Sequence, residues 1–159
     1  EAFAAGLHRM GAAGRGWMKA EELGLGERVE FVGHVEGERK RQAFLNADVV
    51  VVPSHSENFS MTVIEALSYG RPVIASRGTP WGEVAERGCG WWVENSPEAL
   101  AGALTEAFAA GLHRMGAAGR EWMKAEYGWP SIARRMMDLY ERLCLGAPAT
   151  VPGEVVRQV

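Results

Sequence analysis

Short apolar runs rich in β-branched residues alternate with helix-forming segments along most of this chain. The runs at Val49–Pro53 and Pro72–Ser76 are almost continuously apolar, which is typical of strands buried on both faces. The alternation therefore predicts an α/β fold with a parallel sheet covered by helices on both sides. The predicted strands are Val29–Val35, Val49–Pro53, Pro72–Ser76 and Gly90–Val93. The predicted helices are Glu38–Asn46, Met61–Tyr69, a short helix capped by Thr79, a helix capped by Ser96, and Ile132–Leu145.

A second feature is a near-exact duplication. Residues 1–21 recur as residues 106–126, and the only difference is Gly16 in the first copy against Glu121 in the second. Each copy has an apolar stripe at helical spacing, which predicts a helix with one buried face. Because both copies carry the same stripe, they compete for one docking surface. We expect either an inert terminal helix or a first copy that docks in the groove of the second, in the same chain or in a neighbour. Docking in a neighbour gives a domain-swapped homodimer.

Composition narrows the class of protein. Of 159 residues, 47% are hydrophobic and 23% charged, with a net charge of −3, which is typical of a globular domain and not of a nucleic-acid binder. No segment has the length of a transmembrane helix or the form of a signal peptide. Cys89 and Cys144 have no metal-ligand spacing and are expected to be reduced thiols. These features predict a cytoplasmic protein without a metal site.

The densest chemical signal lies between Pro53 and Ser76. It reads as strand, polar loop, helix, glycine stop and strand, so Glu57 follows the carboxyl end of a strand, where open α/β sheets bind ligands. Glu65 lies on the second turn of the following helix. The free amides at that helix start, around Ser60–Thr62, suit a phosphate. The segment therefore predicts one anion-binding end beside two acids that can accept hydrogen bonds from hydroxyls.

This segment resembles the Glu-x7-Glu signature of retaining GT-B glycosyltransferases of family 4, also called group 1, with Ser60 where glycine is common. Further segments, quoted at the end of this paragraph, resemble successive elements of that family's carboxyl-terminal, nucleotide-sugar-binding domain. The resemblance spans about Leu23 to Leu145 and includes the second copy of the duplication. The fold class it implies is a Rossmann-like parallel sheet. These segments are Val29–Val35, Ala47–Pro53, Arg77–Trp81 and Cys89–Val93.

The resemblance implies a role for each matching residue. Glu57 is the catalytic candidate that contacts the donor sugar, and Glu65 holds the ribose hydroxyls. Backbone amides of Phe59, Ser60, Met61 and Thr62 face the diphosphate and sugar. Gly33, His34 and Val35 lie beside the base. The substrate is a nucleotide sugar, and neither a metal nor another cofactor is expected.

Parts of the family's template are not found in this sequence. Two strands and a helix that ordinarily precede the matched region are missing, and so is the amino-terminal domain that binds the acceptor. In the family those strands lie between Val29–Val35 and Val49–Pro53, so we expect a gapped sheet that is remodelled or domain-swapped. The expected function is donor binding without turnover. The alternative is a non-catalytic unit in which the duplicated helix drives dimerisation.

Other choices stay open at this point. Trp81, Trp91 and Trp92 suit stacking on a base or sugar, but packing beside a strand is the more common role of such residues. The predicted organisation is a duplicated helical segment at 1–22, the nucleotide-sugar-binding domain at 23–145, and an extended tail at 146–159.

Overall fold

A computed structural model describes residues 19–145 of the chain. The chain divides into two compact units, Glu1–Gln42 and Ala43–Val159. Most of the first copy of the duplication and the predicted extended tail lie outside the described residues. The expected docking or exchange of the first copy therefore also lies outside them.

In the first unit, a helical segment ends at residue 22. Gly24 follows with a φ of +68°, and the amide of Leu25 donates to the carbonyl of Ala20 at 2.8 Å. This is the arrangement of a helix terminated by a left-handed glycine. Gly24 thus terminates this helical segment.

The predicted strand at Val29–Val35 is wrong. None of these residues is a strand residue in the structure, and Phe31 and Val32 are exposed. Gly33 interrupts the run with a φ of +65°, a left-handed conformation that does not continue a strand. A strand also needs a hydrogen-bonded neighbour, and no strand within residues 19–145 pairs with this run. An apolar run without a pairing partner does not become a strand.

The remaining elements alternate as the sequence predicts. Helix α1 (Gly37–Asn46) precedes strand β1 (Val50–Val52), helix α2 (Met61–Ser68) and strand β2 (Val73–Ser76). The short helix α3 (Glu83–Glu86), strand β3 (Gly90–Val93) and helix α4 (Pro97–Ala109) follow. The described part ends with helix α5 (Leu112–Trp122), a π-helical turn, π1 (Met123–Tyr127), and helix α6 (Trp129–Cys144).

The three strands form one parallel sheet in the order β1-β2-β3. Val51 pairs with Ile74, and Ile74 pairs with Trp91. The strands are consecutive in both chain and sheet order, so the described sheet has no internal gap. The expected gap required a strand at Val29–Val35, and the absence of that strand removes it.

Helices cover the sheet on both faces, as predicted. Side chains of successive strand residues alternate between faces, so Val73 and Ala75 of β2 enter one cluster and Ile74 enters the other. The first cluster includes Leu67 of α2 and Trp122 of α5. The second is formed with α4 through residues that include Ala103 and Ala107. All four residues of β2 are buried, which explains its continuous apolar sequence.

The second copy of the duplication is spread over three elements. It begins in the last turn of α4. The predicted cap of this helix, Ser96, is confirmed, because its hydroxyl accepts a hydrogen bond from the amide of Ala99 at 3.2 Å. The second copy then forms α5 and most of π1. Trp122 and Met123 are buried in the first cluster. The second copy is thus an integral part of the second unit.

The predicted cap at Thr79 is wrong. Helix α3 begins only at Glu83, with Gly82 at its N-cap. The Thr79 hydroxyl instead donates to the carbonyl of Ser76 at 2.8 Å, because Thr79 closes the turn that leaves β2. Among the helices at residues 19–145, none combines the length and the apolar character needed to cross a bilayer.

Candidate functional site

The loops that leave the three strands meet at the carboxyl edge of the sheet. The amide of Glu57, in the loop after β1, donates to the carbonyl of Gly78 in the loop after β2 at 2.9 Å. The side chain of Asn95, after β3, donates to the carbonyl of Pro53 at 3.2 Å. Parallel strands place their following loops at one edge, which is where open α/β sheets bind ligands. The candidate site lies at this edge.

Two further contacts tie the loop after β1 to β2 and its turn. The hydroxyl of Ser76 donates to the carbonyl of Ser54 at 2.5 Å. Gly78 lies so close to this loop that an added Cβ would overlap the carbonyl oxygens of Ser54 and His55. A side chain at position 78 would therefore push the two loops apart, and glycine is needed there for close approach.

Glu57 is half-buried and held from within its own loop. The hydroxyl of Ser54 donates to its Oε2 atom at 2.8 Å, which fixes one carboxylate oxygen and leaves the other with acceptor capacity for a ligand. His55, between them in the loop, is exposed. The carboxylate of Glu57 is thus oriented before any ligand arrives.

The loop enters α2 through an unusual turn at Ser60. Ser60 has φ 58° and ψ 84°, the left-handed region, and its side chain makes no capping hydrogen bond. The first amides of a helix have no partner within the helix, so those of Met61 and Thr62 are available to an anion. Helix α2 has no acidic residue in its first turn, and the helix dipole favours negative charge there.

Glu65 lies on the second turn of α2 and is half-buried. Phe59, Met61 and Thr62 are exposed around the helix start. The structure thus carries the predicted residues from Glu57 to Glu65 on one continuous loop-helix segment. Within residues 19–145, no group of three or more His, Cys, Asp or Glu side chains is placed to hold a metal ion.

Gly33, His34 and Val35 lie in the other compact unit. They belong to the irregular segment before α1, where the exposed His34 ring pairs with Glu36 at 2.9 Å. Their predicted place beside a nucleotide base stays a prediction.

An aromatic cluster lies beneath the Phe59–Ser60 turn. Trp81 is 2% exposed, so it is a core residue and not an exposed stacking platform. Its indole N–H donates to the carbonyl of Phe59. Sequence reasoning missed this bond, because the partners lie 22 positions apart in the chain and no local pattern indicates the contact. Trp92 similarly donates to the carbonyl of Thr79 at 3.2 Å, and Trp91 donates to Glu106 at 3.0 Å.

Comparison with known proteins decides the family. The family model described as "Glycosyl transferases group 1" matches residues 18–122, which is more than half of the chain. The chain belongs to the group 1 glycosyltransferase family. The matched range contains β1, α2, β2 and the candidate site between them. It also contains residues 106–122 of the second copy of the duplication, but only residues 18–21 of the first.

Individual relatives agree with this assignment. A D-inositol 3-phosphate glycosyltransferase of Corynebacterium urealyticum is 34% identical over 129 residues, which cover 78% of this chain and 30% of the relative. Sucrose-phosphate synthase from Thermosynechococcus elongatus has 33% identity and a TM-score of 0.74, over 88% of this chain and 37% of that one. The chain thus spans only about a third of these glycosyltransferases.

A third likeness concerns the fold alone. The Anabaena protein HepE, whose crystal structure contains UDP, has a TM-score of 0.70 at 20% identity, over 78% of this chain and 35% of that one. The small parallel sheet of this group 1 glycosyltransferase chain therefore has the Rossmann-like arrangement of GT-B enzymes.

Proposed function

We propose that this chain binds the nucleotide-sugar donor of a retaining group 1 glycosyltransferase. The observation that carries the proposal is the segment from Glu57 to Glu65. It combines an oriented carboxylate, a helix start with available amides, and a second acid one turn further along the helix. This segment follows β1 at the carboxyl edge of a parallel sheet, where open α/β sheets bind ligands, in a chain of this family.

The proposed roles follow from the chemistry of each group. The amides from Phe59 to Thr62 and the dipole of α2 stabilise the negative charge of a diphosphate. Negative charge increases on that diphosphate as the sugar leaves, so the same amides favour the departure of the nucleotide. Glu65 accepts hydrogen bonds from the ribose hydroxyls, and Glu57 contacts the sugar. This arrangement assigns no step to a metal ion.

Transfer to an acceptor is proposed for the complete enzyme. The chain spans 30% of the Corynebacterium glycosyltransferase, and we infer that the chain by itself binds the donor without turnover. A cytoplasmic location and a homodimer formed through the duplicated helix also stay predictions.

Calorimetric titration of the 159-residue chain with UDP, GDP, ADP and their sugars tests the proposal. We expect saturable binding to at least one nucleotide. Glu65→Ala should weaken it about 10- to 100-fold, the range for lost hydrogen bonds to a charged group. Glu141→Ala is the matched control, because Glu141 is an exposed acid near the end of α6 and the same substitution there should leave the affinity unchanged. A folded chain that binds none of the nucleotides would overturn the proposal.

A further inference from the structure

The backbone at Ser60 is strained. Among residues 19–145, Ser60 is the one residue other than glycine with a positive φ. Side chains with a Cβ are disfavoured in this conformation, and such strain persists only where the surroundings enforce it. Ser60 is buried, yet its side chain does not cap the helix that it precedes. The side chain of Ser60 therefore does not hold this turn.

Trp81 forms a hydrogen bond with the backbone of this turn. Its indole N–H donates to the carbonyl of Phe59, which belongs to the peptide bond that joins Phe59 to Ser60. Since that peptide is planar, fixing its carbonyl also fixes the direction of the Ser60 amide. The Phe59 ring packs on the Trp81 ring, with centroids 5.6 Å apart. Trp81 thus contacts both the backbone and the side chain of Phe59 in this turn.

Trp81 is itself firmly held. Its ring lies 5.8 Å from that of Trp122 in an edge-to-face arrangement and 5.6 Å from that of Tyr127. Arg87 lies over the Trp122 ring at 4.5 Å and pairs with Glu83 at 2.9 Å and with Glu126 at 2.8 Å. The cluster therefore connects the turn to α3, the end of α5 and π1.

We propose that Trp81 is a positioning residue for the donor site: its indole N–H holds the Phe59 carbonyl and so keeps Ser60 in the left-handed conformation that presents the amides of α2 to the diphosphate. The inference rests on the proposed function, because it assigns the cause of the site's geometry. The proposed role belongs to the indole N–H of Trp81, which takes no part in the ring contacts of the aromatic cluster.

The matched pair Trp81→Phe and Trp91→Phe isolates that group. Both substitutions replace an indole by a smaller ring and remove one indole hydrogen bond. Trp91 donates to Glu106 and packs with the cluster on the other face of the sheet, so only Trp81→Phe releases the Phe59 carbonyl. Trp81→Phe should weaken binding of the best nucleotide among UDP, GDP and ADP about three- to tenfold, the range for one neutral hydrogen bond. Trp91→Phe should change it less than about twofold.

The same substitution made in a Ser60→Gly variant distinguishes a positioning role of Trp81 from a general packing role. Glycine adopts a positive φ without steric cost, so in Ser60→Gly the turn no longer carries the strain that Trp81 is proposed to oppose. Adding Trp81→Phe to Ser60→Gly should then cost less than about twofold in affinity, relative to Ser60→Gly alone. Equal losses in both backgrounds would mean that Trp81 acts by packing alone, and the proposal would be overturned.

The remaining outcomes are also decisive. If Trp81→Phe alone does not fold, the proposal requires that the double variant folds and binds like Ser60→Gly; a double variant that also fails to fold overturns it. If the unsubstituted chain binds but Trp81→Phe binds equally well, the positioning role is wrong while the donor site stands. If the unsubstituted chain binds no nucleotide, the donor site itself fails.

Discussion

Gly116 of α5 lies against the backbone of Gly70, which follows α2, so closely that a Cβ on Gly116 would overlap the carbonyl oxygen of Gly70. One turn on, Gly119 lies against Leu67 and Cys89. Glycines that weaken an isolated helix thus allow α5 to pack closely on the segment that carries the candidate site. In the second unit, this surface is filled by the second copy of the duplication.

Gly116→Ala should destabilise the protein by about 2–4 kcal/mol, because the obstructing atom belongs to the backbone and has no other rotamer to adopt. Chemical denaturation followed by circular dichroism measures the change. The duplication offers a matched control, since Gly11→Ala makes the same substitution in an identical local sequence. If the first copy is an inert terminal helix, Gly11→Ala should change the free energy of unfolding by less than about 1 kcal/mol. An equal loss from Gly11→Ala, with a dimeric mass in light scattering, would instead favour exchange of the first copy between protomers.

The two thiols should differ sharply in reactivity. Cys89 is completely buried, and burial raises its pKa from 9.0 to about 11 against the opposing effect of nearby Arg87. Cys144 is exposed. Because the thiolate is the reactive form, iodoacetamide at pH 8 should alkylate Cys144 and leave Cys89 unmodified until the protein is unfolded. Mass spectrometry of peptides from folded and denatured protein tests this prediction, and rapid modification of Cys89 in the folded protein would contradict it.

The same shift gives a pH dependence with a definite sign. Between pH 9 and about 11 the unfolded chain releases the Cys89 proton while the folded protein keeps it. The unfolded state then binds fewer protons, so the free energy of unfolding falls as the pH rises through this range. Denaturation at pH 8 to 11 should show this fall, and Cys89→Ala should reduce its slope. A slope that is unchanged in Cys89→Ala would rule out this thiol as the cause.

The N-cap of α4 is the next test. The Ser96 hydroxyl accepts from the amide of Ala99 at 3.2 Å, so Ser96→Ala should lower the free energy of unfolding by about 1 kcal/mol. Thr105→Ala is the control in the same helix. The Thr105 hydroxyl donates to the carbonyl of Ala101 at 2.9 Å, a hydrogen bond that a helix does not need for its stability. Since alanine has the better helix propensity, Thr105→Ala should not lower the free energy of unfolding. Similar losses from both substitutions would argue against the capping role.

The local sequence pattern predicted the elements of the second unit well, but it failed where strand formation depends on pairing with a neighbouring strand. Val73–Ser76 was predictable because a strand buried on both faces must be apolar throughout. Val29–Val35 also contains β-branched and aromatic residues, but strand formation depends on a neighbouring strand that local sequence does not specify. In the candidate site, the position of Glu57 followed from the strand before it. The hydrogen bond from Trp81 to Phe59 could not be predicted in the same way, because only the tertiary fold brings these two residues together.

Gly78 gives the sharpest test of how the two loops are joined. An added Cβ would overlap the backbone carbonyls of Ser54 and His55, and the Gly78 carbonyl accepts from the amide of Glu57. Gly78→Ala must separate the loops, so nucleotide binding should weaken at least about tenfold and stability should fall by about 1–3 kcal/mol. In Gly102→Ala, the added Cβ meets nothing within 4 Å and lies in the exposed middle of α4. That control should gain about 0.5–1 kcal/mol from helix propensity and leave nucleotide affinity unchanged. If Gly78→Ala bound nucleotide as tightly as the unsubstituted chain, the loop contact would not shape the site.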